Sequence, residues 1–397
     1  MWQGPLVPDT PVIYRSPQPS IDAVPKNWEF IDYTPAGIEV GCLRAPARGG
    51  EPKAKITLFS GLKADVETYD TPQIRALQKI GIEVDLILLP DPGTQIGYLD
   101  DNKNIIKDTL VDNPPPGSQH PNIPHFIFGH SLGGRAFVAN MLDEEFAKEI
   151  EENYALAVLI APHFSSPYRS KPVLNAIYTS YCKLFADKSY GEAPLDWAFS
   201  ATEKIKSKLQ IGRKDKSLRE DFQQKTRATH SPITTENTAT THGQILYSNM
   251  EGEKLWGRIQ EDGVPETAKK FPTIMLGGSR DFVSSKNYIE NVAKAFNADF
   301  HEFDTYHHPF LESKSARKLI VKAMKEITDN WENVTVPNES PLLRGVKRVR
   351  STFKRLLDKV KPSKQHEEPE LNINVDDTPL HDDLDDAAQI DDDHPAL

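Results

Sequence analysis

Short apolar runs punctuate the first three quarters of the chain, and the spacing between them changes twice. The runs Trp28–Tyr33 and Ile38–Leu43 are β-prone and flank Thr34-Pro35-Ala36-Gly37, whose turn chemistry predicts a hairpin. Further runs stand at Ile56–Phe59, Val84–Leu89, Phe126–Phe128, Leu156–Ile160, Thr273–Leu276 and Phe300–Phe303. Apolar residues between them recur at helical steps, as in Ala136, Phe137, Met141 and Leu142, or Tyr288, Val292, Ala295 and Phe296. Strands alternating with helices predict an α/β fold whose central sheet is mostly parallel and flanked by helices.

From about His163 to Gly263 this alternation stops and helix-like stretches surround the polar segment Lys204–His242. An insertion of that length between sheet strands is expected to sit as a helical cap over the strands' carboxyl ends, where α/β enzymes keep their chemistry. The predicted organisation is a Pro-rich arm (1–26), a first core part (27–162), the cap insertion (163–265) and a second core part (266–332). A linker (333–341), a basic amphipathic helix (342–362) and an acidic tail (363–397) follow. Six prolines between Pro5 and Pro25 prevent regular structure in the arm, which is read as disordered or wrapping.

Composition refines this picture at the ends. Hydrophobic residues make up 38% and mean hydropathy is -0.53, because polar residues concentrate towards the termini. Gln365–Leu397 carries -12 and Leu342–Lys364 carries +8, which leaves -7 of the total -11 for Met1–Pro341. A mildly acidic body offers no basic face for nucleic acid. Two cysteines, Cys42 and Cys182, exclude a disulfide framework and a four-cysteine zinc site, and a reducing compartment is the simpler reading. The start lacks the basic and apolar regions of a secretory signal. No apolar stretch reaches the roughly 18 residues that a spanning helix needs. A cytoplasmic protein is expected.

Chemistry enters at Phe126-Ile127-Phe128-Gly129-His130-Ser131-Leu132-Gly133-Gly134, a strand, then G-x-S-x-G, then a helical pattern. A serine on a sharp strand-to-helix turn needs small neighbours, and glycine supplies them at 129 and 133. Such a turn lifts the hydroxyl off the sheet and aims helix N–H groups at a developing oxyanion. Ser131 is therefore the candidate nucleophile; a glycine-rich junction with an incidental serine is the bland alternative. An acid and a base must follow in that order. Asp281 stands on the turn after Thr273–Leu276, with a solvated turn aspartate as the competing reading. His307 and His308 follow Phe300–Phe303. One of them is expected to be the base, and an adventitious or metal-binding pair is the competing reading. The loop Ser60-Gly61-Leu62 after Ile56–Phe59 is expected to supply a second oxyanion N–H from Leu62, to pair with that of Leu132, with a simple tight turn at the glycine as the competing reading.

Over about Trp28–Trp331 the chain resembles the lysophospholipase and monoacylglycerol lipase branch of the α/β hydrolases, of serine aminopeptidase type. Gly129-His130-Ser131-Leu132-Gly133, Gly278-Ser279-Arg280-Asp281 and His307 with Glu312 carry the resemblance. Gly61-Leu62 with Tyr69, and Leu159-Ile160-Ala161-Pro162, add to it. The position of Glu312 favours His307 as base over His308. The resemblance implies an α/β-hydrolase fold and acyl transfer to water, with no cofactor, on a small lipid ester such as a lysophospholipid or monoacylglycerol. The chain departs from that branch at Ser60, where His is usual, and at Pro90-Asp91-Pro92-Gly93-Thr94, where a glycine-richer turn is usual. These differences bear on the oxyanion loop and the substrate, not on the triad. Amide hydrolysis by the same triad, and a catalytically silent scaffold, are the other functional readings.

Two features outside the motifs keep more than one reading. Tyr168, Tyr178, Tyr181, Phe185, Trp197 and Phe199 either line an acyl pocket beneath the cap or form the cap's own core. Leu342, Val346, Val349, Phe353, Leu356 and Val360 form an apolar stripe on a helix whose other faces are basic. That helix suits an anionic membrane surface, which would make the protein peripheral at the membrane's inner face. It equally suits packing on the hydrolase body or masking by the acidic tail.

Overall fold

The structure is a computed structural model of the 397-residue chain. It describes residues 24–38, 40–61, 66–90, 99–118, 120, 122–165, 172–184, 242–279, 281, 283–305 and 307–331. The chain divides into a unit Met1–Leu356 and a unit Leu357–Leu397, and the described residues belong to the first. The arm up to residue 23, the acidic tail, the basic stripe and residues 204–241 of the insertion lie outside the described residues.

Eight strands form one sheet: β1 (Glu29–Ile31), β2 (Gly41–Ala45), β3 (Ala54–Phe59), β4 (Ile82–Leu88), β5 (His125–His130), β6 (Leu156–Ile160), β7 (Thr273–Gly278) and β8 (Asp299–Phe303). Their order is β1-β2-β4-β3-β5-β6-β7-β8. β3 to β8 run parallel, while β2 is antiparallel to both β1 and β4. The predicted parallel sheet and hairpin are both present, and the hairpin extends the sheet beside β4. Between its strands the chain makes a short 3-10 helix, Pro35–Gly37, with Ala36 in a left-handed conformation (φ 53°).

Helices cover both faces. In chain order they are α1 (Val66–Tyr69), α2 (Pro72–Lys79), α3 (Leu99–Lys107), α4 (Leu132–Asn140), α5 (Glu144–Asn153), α6 (Pro172–Leu184), α7 (His242–Asp262), α8 (Glu266–Lys270), α9 (Lys286–Ala295), α10 (Pro309–Glu312) and α11 (Lys314–Asn330). On one face Phe59, Ile87, Ile127, Leu159 and Met275 of the strands meet Ile106, Phe137, Ile150 and Val292 of the helices in one core cluster. On the other, Phe310 of α10 packs edge-on against Phe128 at 6.0 Å. Central strands buried on both faces explain why the runs are apolar throughout rather than alternating.

One polar group interrupts that core. Arg44 and Lys55, on β2 and β3, grip Asp85 of β4 at 2.7 Å each, and Lys55 also reaches Glu83 at 3.0 Å. Asp85 and Lys55 are almost completely enclosed. Burial of four charges is tolerable because the group is neutral overall and each charge has a partner at hydrogen-bond distance.

The described parts of the insertion are residues 163–165, α6, and α7 with the three residues after it. α6 exposes Val173 and Leu184, while α7 sends Leu255 and Ile259 into the core cluster. Of the candidate cap aromatics, Tyr181 is buried and Tyr178 half-buried; Tyr168, Phe185, Trp197 and Phe199 lie outside the described residues.

Candidate active site

β5 runs through Gly129 and His130 directly into Ser131, which caps α4 with φ 49° and ψ -106°. That backbone is costly for a residue with a Cβ, and close packing on every side maintains it. A Cβ at 129 would stand 2.8 Å from the Gly134 Cα, and one at 133 would stand 2.6 Å from the Phe59 carbonyl oxygen. The turn therefore closes only with glycine at both positions. The Gly133 N–H donates to the Ser60 carbonyl at 3.1 Å, which ties the turn to the end of β3. Leu132 opens α4, so its N–H has no carbonyl within the helix to bond and is available beside the serine hydroxyl.

The three residues expected to act together are brought together. His307 Nε2 lies 2.8 Å from Ser131 Oγ, and its Nδ1 lies 2.9 Å from Asp281 Oδ2. The carboxylate only accepts, so Nδ1–H donates to it, and in the neutral ring Nε2 is the nitrogen free to accept from the hydroxyl. Asp281 is completely shielded on its side chain, and its Oδ1 accepts the N–H groups of Val283 (2.7 Å) and Ser284 (2.9 Å). A carboxylate with three donors is fixed in orientation. His308 is turned towards His130, ring centroids 4.5 Å apart, while His307 faces the serine. Glu312 ends α10, with its side chain outside the described residues.

Around this trio lies an aromatic and histidine shell. Gly61 N–H donates to the Tyr69 hydroxyl at 2.9 Å, and that hydroxyl lies 2.8 Å from His130 Nδ1. The Gly61 N–H is thereby committed, so an oxyanion donor from this loop would have to come from a later residue. Leu62, the expected donor, lies outside the described residues. Ser60, which stands where the resembling enzymes carry His, is fully buried, and its hydroxyl accepts the Leu89 N–H at 2.9 Å. Here it joins the ends of β3 and β4.

Burial holds His130 and His308 well below the ordinary imidazole range, helped by the neighbouring His307. His163 is pushed down to about 3, by burial first and then by Arg135 and His307. The imidazoles beside His307 thus stay uncharged. None places a positive charge next to the ring that faces the serine proton.

Two of these groups belong to no motif in the sequence. His163 follows the carboxyl end of β6, a placement that in itself marks candidate site residues in parallel sheets. Arg135 on α4 is fully buried, bonded to the Ser248 carbonyl and hydroxyl and to Glu251 on α7 at 3.1 Å. No local sequence signal marks a helix arginine as a core residue. Among the described residues, no cluster of His, Cys, Asp and Glu is placed to hold a metal ion.

The geometry agrees with what the chain resembles. A soluble variant of the monoglyceride lipase from Saccharomyces cerevisiae, in complex with a substrate analog, superposes with a TM-score of 0.50. The two chains are 15% identical, over 78% of this chain and 98% of the other. A lipase in its open form gives the same TM-score at 14% identity, over 76% and 98%. At such identities the likeness carries the fold. No curated protein matches the sequence. A family model described as serine aminopeptidase, S33 matches residues 50–313. That span runs from the approach to β3 through Ser131, Asp281 and His307, and the chain belongs to the serine aminopeptidase S33 family of α/β hydrolases.

Proposed function

We propose that the protein is a serine hydrolase that cleaves a carboxylic ester, with a lysophospholipid or monoacylglycerol as substrate. The observation carrying this reading is the unbroken contact Asp281–His307–Ser131, at 2.9 and 2.8 Å. In this reading His307 Nε2 takes the Ser131 proton as Oγ attacks the ester carbonyl, and the Leu132 and Leu62 N–H groups hold the oxyanion. The alcohol departs with the proton from His307, leaving an acyl-serine. Water, deprotonated by the same ring, attacks that ester; the acid leaves and Ser131 regains its proton. Asp281 keeps the imidazole in the required tautomer and stabilises it while charged. No cofactor takes part.

An apolar acyl group is supported by α6, where Val173, Leu174, Ile177 and Leu184 are all exposed. Sharing the fold of a monoglyceride lipase makes a monoacylglycerol the first substrate to try. On this reading the apolar stripe 342–360 with its basic flanks would hold the enzyme at an anionic inner membrane surface.

Purified protein is expected to hydrolyse a p-nitrophenyl acyl ester and to react with a fluorophosphonate probe. Ser131→Ala should lose both while keeping its fold. Turnover retained in Ser131→Ala removes Ser131 from the reaction, and a wild-type chain inert to the probe indicates a silent scaffold. Faster cleavage of aminoacyl amides than of monoacylglycerols and lysophospholipids would favour peptide chemistry instead.

A further inference from the structure

Behind the serine, a chain of buried polar groups runs from α7 to the loop that carries Asp281. The Asn249 side-chain oxygen on α7 lies 3.0 Å from His163 Nε2, and His163 Nδ1 lies 3.2 Å from the Ser284 hydroxyl. Since a carboxamide oxygen only accepts, Nε2 carries the proton and Nδ1 is left to accept the Ser284 hydroxyl proton. Ser284, fully buried, donates its backbone N–H to Asp281 Oδ1 at 2.9 Å. The backbone N–H of His163 itself donates to the Ser131 carbonyl at 3.1 Å. His163 therefore touches the elbow with its main chain and the acid loop, through Ser284, with its ring. Two carbonyls of the same neighbourhood join this chain: that of Ala161 stands 3.4 Å from the Ser284 hydroxyl, and the Val283 backbone, next to Ser284 on the acid loop, also bonds the His163 ring.

We infer that His163 is a positioning residue: through Ser284 it fixes the loop that orients Asp281, and through Asn249 it ties that loop to the helix returning from the insertion. The inference rests on the proposed Ser131–His307–Asp281 chemistry. Each bond in the chain is buried, so each group lacks water as a substitute partner, and loss of one releases its neighbour. The chain ends at α7, which Arg135 clamps to the nucleophile helix through Ser248 and Glu251. Elbow and acid loop are thus braced from one helix. His307 faces Asp281, His130, His308 and His163 from the surrounding elements, and Arg135 faces His163.

The test compares His163→Phe, Ser284→Ala, their combination and the rescue variant His163→Asn, whose amide oxygen can stand near the position of Nδ1. Turnover of a p-nitrophenyl ester is measured against pH, and active sites are titrated with a fluorophosphonate so that misfolded protein is not counted. Release of one buried partner of this kind is expected to lower kcat on the order of tenfold with KM unchanged. A less firmly oriented carboxylate stabilises the imidazolium less, so the acid limb of kcat/KM should move to lower pH. The double variant should lose no more than the worse single one, and His163→Asn should recover most of the loss. Wild-type kcat and acid limb in both single variants overturn the inference, as do losses that multiply in the double variant. Ser284→Ala removes only a hydroxyl and decides the matter if the ring replacement does not fold. A wild-type chain with no Ser131-dependent turnover overturns the underlying reading instead, and is recognised by Ser131→Ala alone.

Discussion

Arg135 and Glu251 meet 3.1 Å apart, with the guanidinium completely enclosed and the two residues 116 positions apart in the chain. Burial works against both charges, lowering the affinity of Arg135 for its proton and raising that of Glu251. Their partners offset this: Ser248 accepts from Arg135, and the Leu99 N–H donates to Glu251 at 2.8 Å. Removing one partner leaves a buried charge uncompensated, so Arg135→Met or Glu251→Gln should each cost about 3–5 kcal/mol. Arg135→Met combined with Glu251→Leu should recover much of that. Denaturant unfolding measures all three, and single losses that simply add in the double variant would show that the pair is not coupled.

Gly61 packs directly against the serine. A Cβ there would stand 3.1 Å from the Ser131 Cβ and 2.9 Å from His130 Nδ1. Tyr69 holds the same backbone by accepting its N–H. Tyr69→Phe leaves that buried N–H unpaired at a cost of about 1–3 kcal/mol. Part of this should appear as a drop in kcat, because the freed residue adjoins the expected oxyanion loop. Steady-state kinetics beside thermal unfolding separates the two effects. Unchanged kcat would mean that the Tyr69 bond serves stability alone.

The elbow tolerates no side chain at 133. With the Phe59 carbonyl 2.6 Å from where a Cβ would sit, Gly133→Ala must push β3 and α4 apart. A cost of about 1–3 kcal/mol is expected, together with near-complete loss of fluorophosphonate labelling. Labelling at the wild-type rate would mean that the turn can widen without harm.

Buried neutral histidines make the fold sensitive to acid. Burial, with Lys55 adding to it, holds His125 down to about 4, and His163 is held to about 3. Unfolded, both take a proton near pH 6.5; folded, they do so only at those lower values. Their contribution to stability is therefore complete above pH 6.5 and is lost as the pH falls towards 4. Each proton taken up only by the unfolded chain steepens the loss by about 1.4 kcal/mol per pH unit. His125→Gln should remove about one such proton between pH 6 and 4.5, read as a flatter dependence of unfolding free energy on pH. An undiminished slope would rule out a neutral, half-buried His125.

The sequence by itself determined whatever depends on neighbours along the chain. Apolar runs bounded by turn residues become strands because they can be buried on both faces. The Gly129 to Gly133 stretch becomes an elbow because the sterics of one turn require it. Asp281 was legible for the same reason, since it follows its strand within a few residues. The choice between adjacent His307 and His308 was not local. Local geometry aims neighbouring side chains differently, and only packing shows that one ring faces Ser131 while the other faces His130. The same holds for Arg44, Lys55, Glu83 and Asp85, which read as polar strand positions and are instead a neutral internal cluster. It holds again for Asn249, His163 and Ser284, which come from three segments. A buried polar group acquires meaning only from the partner that satisfies it, and the fold alone brings that partner from a distant part of the chain.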